Sequence, residues 1–181
     1  MNDYQYHFLS INRFSRPGTP LRAVRGIVIH WVGNPGTSAK ANRNYFENLK
    51  TQNPDDKNAR YASAHFIVGL DGEIIRCIPE NEIAYHVGAQ KYNALALNAL
   101  NTTYPNNSTI GIELCHPDRT GKFEKETLAA ARELIQQLIK QFGIPRGNIF
   151  RHFDITGKDC PRYFVQNEDA WNDFRESVYA D

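Results

Sequence analysis

The sequence predicts an α/β (α+β) domain in which a central mixed β-sheet is flanked by helices. Short β-branched apolar runs alternate in part with amphipathic stretches, and an Asp-Gly pair joins two of those runs as a hairpin. With 181 residues and 41% hydrophobic content, the chain can close one core of ordinary size as a single domain. No internal repeat or low-complexity tract interrupts it.

Each element has its own signal. Arg25 to His30 reads Arg-Gly-Ile-Val-Ile-His, a buried-strand pattern ending in a polar residue before the turn cluster Gly33-Asn34-Pro35-Gly36. A histidine at the end of a core strand is well placed to face a cleft. Ser38 is the N-cap of a helix through about Leu49, with Ala41, Tyr45, Phe46 and Leu49 as its apolar stripe, and Asn53-Pro54-Asp55-Asp56 ends it. Ala64 to Gly69 and Glu73 to Ile78 are β-rich runs joined across Leu70-Asp71-Gly72, which predicts an antiparallel pair. From Gln90 to Ser108 the chain is rich in Asn and Ala and reads as a long loop holding a short helix, expected to border a substrate cleft. Thr109 to Cys115 reads as a core strand. Lys125 to Phe142 is the clearest amphipathic helix, with Leu128, Ala131, Leu134, Ile135, Leu138 and Ile139 on one side and Gly143 just past its end. Asn148 to Arg151 predicts a short strand, and Glu168 to Val178 a terminal helix carrying Trp171 and Phe174.

Composition removes several function classes. A net charge of +1 gives no bulk reason to expect a nucleic acid partner, and no apolar run approaches the roughly 18 residues of a membrane span. The first residues, Met1 to His7, carry an early acid and no apolar core, so no secretory signal is expected and the chain is read as made in the cytoplasm. Cys77, Cys115 and Cys160 are an odd set at wide spacing, which favours free thiols over a disulfide framework.

The chemistry concentrates in His152-Phe153-Asp154-Ile155-Thr156-Gly157-Lys158-Asp159-Cys160-Pro161, read as a loop that doubles back at Gly157. Neutral imidazole and thiolate are zinc ligands, and a catalytic zinc keeps three protein ligands and one open position. His152 and Cys160 supply two; the residues alone leave the third open. Glu113 lies among apolar neighbours, so it is either paired or faces a cleft with a raised pKa suited to general base work.

Five segments in fixed order carry a family resemblance: Ile27-Val28-Ile29-His30, Ser63 to Val68, Ala84-Tyr85-His86-Val87-Gly88, Ile110-Gly111-Ile112-Glu113, and the His-x5-Lys-x-Cys-Pro loop. From about Arg25 to Pro161 the chain resembles the zinc-dependent N-acetylmuramoyl-L-alanine amidases of the amidase type-2 family, which share a fold with the peptidoglycan recognition proteins. The resemblance is greatest to endolysins and autolysins. It implies cleavage of the amide between N-acetylmuramic acid and L-alanine of peptidoglycan, with one zinc ion held by His30, His152 and Cys160. Glu113 would be the base and Lys158 the donor to the developing oxyanion. His86 matches a cleft position and is expected to contact substrate or hydrogen-bond in the transition state, and Trp31 and Asn34 to form groove wall. In other branches a tyrosine precedes the His-Phe of the hairpin, whereas Ala64 stands here, so that tyrosine's role is not carried over.

Bland roles are expected elsewhere. Cys77 and Cys115 read as core thiols, His7 as part of the N-terminal segment, and His65 and His116 as structural residues or partners behind the metal ligands. The rival functions are a non-catalytic peptidoglycan-binding module, which would typically lack the thiol, a hydrolase with Cys160 as nucleophile and His152 as base, and a structural zinc, which would want a fourth ligand. The chain reads either as an isolated catalytic domain or as part of a longer lysin whose cell-wall-binding domain would follow the last helix.

Overall fold

The computed structural model describes residues 5–180; residues 1–4, on which much of the leader reading rests, and Asp181 lie outside them. In chain order the elements are β1 (Gln5–Tyr6), β2 (Gly26–Trp31), α1 (Ala39–Asn48), β3 (Phe66–Val68), β4 (Ile74–Arg76), α2 (Ala94–Leu100), β5 (Thr109–Leu114), α3 (Lys125–Phe142), β6 (Ile149–Arg151), α4 (His152–Thr156), α5 (Arg162–Gln166) and α6 (Glu168–Ser177). The strands form a single sheet ordered β1-β4-β3-β5-β2-β6. Its central pairs β3–β5, β5–β2 and β2–β6 are parallel, while β3 and β4 form the predicted hairpin, with Phe66 opposite Arg76 and Val68 opposite Ile74. The expected mixed sheet between helices is therefore present.

Parallel strands covered on both faces are apolar at nearly every position. Ile27, Val28 and Ile29 are fully buried for that reason. On one face Ile27, Ile29, Ile110, Ile112 and Leu114 pack against Ala131, Leu134, Ile135 and Leu138 of α3 and Trp171 and Phe174 of α6. Against the other face lie Phe46 and Leu49 beside Ile67 and Ile75, and Ala96, Leu100 and Ile155 beside Val28. Each buried Val, Leu, Ile or Phe among them contributes roughly 1.5–3 kcal/mol by leaving water. Among the described residues no helix is long and apolar enough to cross a membrane.

Three local expectations are corrected. Ser38 caps α1 as predicted, its Oγ accepting from Ala41 N at 3.2 Å, but the inward face is Ala39, Asn42 and Phe46 while Ala41 and Tyr45 are exposed. The stripe is rotated because Asn42 is drawn inward by donating to Thr37 Oγ1 and the Ser38 carbonyl. His152 opens a helix rather than a loop: the Asp154 carboxylate accepts from Arg151 N at 2.7 Å and from the Arg151 guanidinium, which caps α4 at its start. Finally, the Gln90–Ser108 stretch does not line the cleft described below. It borders a separate polar cavity of about 580 Å³ with Arg22 and Arg25, at the strand ends opposite His30 and Glu113.

Candidate active site

The parallel register builds the site. His30 on β2 pairs with Glu113 on β5, which pairs with Ile67 on β3, so the imidazole and the carboxyl leave the same face of the sheet. One strand over, Arg151 pairs with Ile29, and the next residue is His152. The buried Arg151 guanidinium anchors that position by donating to the Phe164 carbonyl, Glu168 and Asp154, and it lies over the Trp171 ring. Past α4, Gly157 adopts φ 79, which turns the chain back toward the sheet. Phe153 N donates to the Cys160 carbonyl at 2.9 Å and closes the turn.

Three predicted ligands converge as a result. His30 Nδ1 lies 3.1 Å from His152 Nδ1 and 3.7 Å from Cys160 Sγ, and all three candidate ligand atoms are buried within 4.8 Å of one another. Two imidazole nitrogens and a thiol aimed at one point are a donor set that suits zinc. Burial, then the neighbouring His152 and His86 rings, hold the His30 imidazole well below its ordinary pKa, and burial followed by Lys158 lowers His152 to about 4. Both rings are thus neutral, the form that binds metal. Burial, reinforced by Glu113, pushes the Cys160 thiol up to about 12.

Glu113 and Lys158 line the same cavity, of about 400 Å³, as the three ligands. Burial raises the Glu113 carboxyl to about 8 against the pull of Lys158, and its Oε2 has no hydrogen-bond partner. Such a carboxyl can hold and release a proton near neutral pH. Trp31 forms part of the wall, its ring stacked on His116 at 4.6 Å and covered by Arg162 at 4.9 Å. Asn34 does not line the cavity; it sits on an exposed turn one residue beyond the lining Gly33. His86 borders the cavity but stands behind His30, its Nδ1 3.0 Å from His30 Nε2.

Tyr61, Tyr85, Ser63 and Phe46 also line the cavity and were not anticipated. Tyr85 and Ser63 carried a signal, as members of segments that bear the resemblance; Tyr61 and Phe46 carried none toward a cleft. Tyr61 sits edge-on to Tyr85 at 5.9 Å, so two aromatic side chains border the cleft although Ala64 is buried and apolar. His65 is structural, accepting from Gly111 N and donating to the Glu82 carbonyl, and Cys77 and Cys115 are buried free thiols.

A family model described as N-acetylmuramoyl-L-alanine amidase matches residues 20–163. A "Probable N-acetylmuramoyl-L-alanine amidase" of Bacillus licheniformis is 37% identical over 172 residues, covering 95% of this chain and 46% of the relative. The N-acetylmuramoyl-L-alanine amidase BlyA of Bacillus subtilis is 33% identical over 189 residues, covering 99% of this chain and 48% of the relative. Among solved structures, the catalytic domain of XlyA, a Bacillus subtilis protein, superposes with a TM-score of 0.72 at 28% identity, covering 97% of this chain and 99% of that one. The chain thus spans about half the length of the curated relatives it matches, and nearly all of a solved catalytic domain.

Proposed function

Because the chain belongs to the N-acetylmuramoyl-L-alanine amidase family, we propose that it hydrolyses the amide between the lactyl group of N-acetylmuramic acid and the L-alanine of peptidoglycan. The observation that carries the reading is the convergence of His30, His152 and Cys160 beside Glu113 and Lys158 in one cavity. The three ligands would hold zinc. Bound there, zinc supplies Lewis-acid polarisation of the scissile carbonyl and a more acidic attacking water.

The protein's own groups do the rest. Glu113 takes a proton from water as its oxygen bonds to the carbonyl carbon, then returns it to the alanine nitrogen as the carbon–nitrogen bond breaks. Burial keeps its proton affinity near that needed at neutral pH. Lys158 donates to the carbonyl oxygen as negative charge develops there. Trp31, Tyr61 and Tyr85 supply flat apolar walls for the sugar and lactyl groups.

The rivals fare worse. A nucleophilic cysteine pairs with one base, whereas here His30 Nδ1 lies 3.7 Å from Cys160 Sγ and 3.1 Å from His152 Nδ1, so the three groups converge on one point. A structural metal would want a fourth protein ligand, and among the described residues the group contains three. A binding module would have no need of a carboxyl whose Oε2 is buried without a partner.

Mass spectrometry of digested purified peptidoglycan tests the proposal. New L-alanine amino termini are expected, absent with Glu113→Gln; new reducing sugar ends would overturn it. Activity should vanish with a strong chelator and return with zinc. Survival under chelation with loss on alkylation would mark a thiol hydrolase instead.

A further inference from the structure

We infer that Thr109 and His86 are positioning residues that set the tautomer of His30, so that Nδ1 rather than Nε2 faces the metal position. This rests on the reading of His30 as a metal ligand, and the reasoning is a count of protons along a buried chain. Thr109 Oγ1 donates its proton to the Pro105 carbonyl at 2.8 Å. A hydroxyl has one proton, so toward His86 Nε2, at 3.1 Å, the same oxygen can only accept. His86 therefore carries its proton on Nε2, where the Thr109 carbonyl lies also within 3.4 Å. A neutral imidazole has a single N–H, and His86 is buried among other imidazoles, so its Nδ1 is a bare acceptor. The partner of that acceptor is His30 Nε2 at 3.0 Å, which must donate. His30 is left with its lone pair on Nδ1, the atom that meets His152 Nδ1 and Cys160 Sγ.

The surroundings hold this chain in place. The His86 ring lies so close to β5 that a Cβ on Gly111 would fall 2.4 Å from His86 Cγ. Asn106 Oδ1 accepts from His86 N and Val87 N, and Asn106 Nδ2 donates to the Tyr104 hydroxyl. The segment Gln90 to Ser108, which does not line the cleft, thus contributes from behind: Pro105 and Asn106 seat His86. Metal-bound imidazoles commonly donate their second N–H to a carboxylate or carbonyl, and removing such partners typically costs 10–100-fold in metal affinity. Here the partner is another imidazole, and its direction is decided by a threonine hydroxyl two bonds away.

Two measurements on the full chain test this. Long-range proton–nitrogen NMR of the zinc-free protein should report His30 and His86 both protonated at Nε2; a His30 protonated at Nδ1 overturns the inference with no variant needed. Competition against a chromophoric chelator should find zinc affinity about 10- to 100-fold weaker in Thr109→Val and His86→Phe, and restored in Thr109→Ser. Folded Thr109→Val that binds zinc as tightly as the parent overturns it. If the parent itself binds no zinc, the amidase reading fails, while the NMR result still decides the hydrogen-bond direction.

Discussion

At Glu113 the cost of burial and the pull of Lys158 oppose each other, and burial prevails. Glu113→Gln should lower kcat by about 10²- to 10⁴-fold while leaving zinc content unchanged, measured by turnover and metal analysis. It should also change stability with a definite sign. The folded carboxyl binds its proton more tightly than the unfolded one, up to about 8 against 4.5, so ionisation destabilises the folded state as pH rises through that window. Metal-free Glu113→Gln should therefore be more stable than the parent above pH 8, by about 1–3 kcal/mol in unfolding free energy, and the two should coincide below about pH 4.5. Equal melting at pH 8 would show that the parent carboxylate is solvated. The strand's apolar neighbours made this burial legible in sequence. Tyr61 was not legible, because its stretch has no periodicity and it is held at the cleft by ring contacts with Phe14 and Tyr85, both distant in sequence.

Among the elements, α4 and the turn after it decide whether Cys160 arrives. Gly157 ends α4 with φ 79, and a Cβ there would meet open space, so replacement costs only backbone strain. Gly157→Ala should destabilise the fold by about 1–2 kcal/mol and weaken zinc binding, since Cys160 follows the bend directly. Thermal melting and chelator competition check both, and unchanged zinc affinity would mean that Cys160 is placed independently of the turn. Helix α3 was readable to its ends because eighteen residues sustain one apolar period. By contrast α1 presents a face rotated from the expected stripe, since a polar Asn42 is pulled inward by hydrogen bonds that hydrophobicity alone does not reveal. The cap on α4 was likewise hidden, in a carboxylate whose partner is the residue preceding the helix.

For the molecule as a whole, buried neutral imidazoles set the response to acid. His65 has no exposed surface and bridges β5 to the turn near Glu82, and burial, only partly offset by the bond to Glu82, lowers its pKa to about 4. The unfolded chain takes up that proton near 6.5 and the folded one does not, so stability is lost as pH falls from about 6.5 toward 4. That group alone should cost up to about 3 kcal/mol across the window. Melting temperatures measured between pH 7 and 4 should fall steeply in the parent and less so in His65→Gln. A flat profile would mean that the ring titrates freely in the folded protein.

Order along the chain was enough to indicate the mixed sheet and most of its elements, and to offer imidazole, thiol and carboxyl candidates for the chemistry, because period, turn residues and ligand types are local properties. Which groups meet was left to the tertiary structure. Parallel pairing of β2 with β5 puts His30 beside Glu113, and the fold of α4 brings Cys160 back to both. The same packing sets His86 at the cavity wall against His30, its Nδ1 3.0 Å from His30 Nε2. Such direction comes from burial and proton counting among groups distant in sequence, and only a folded chain makes them neighbours.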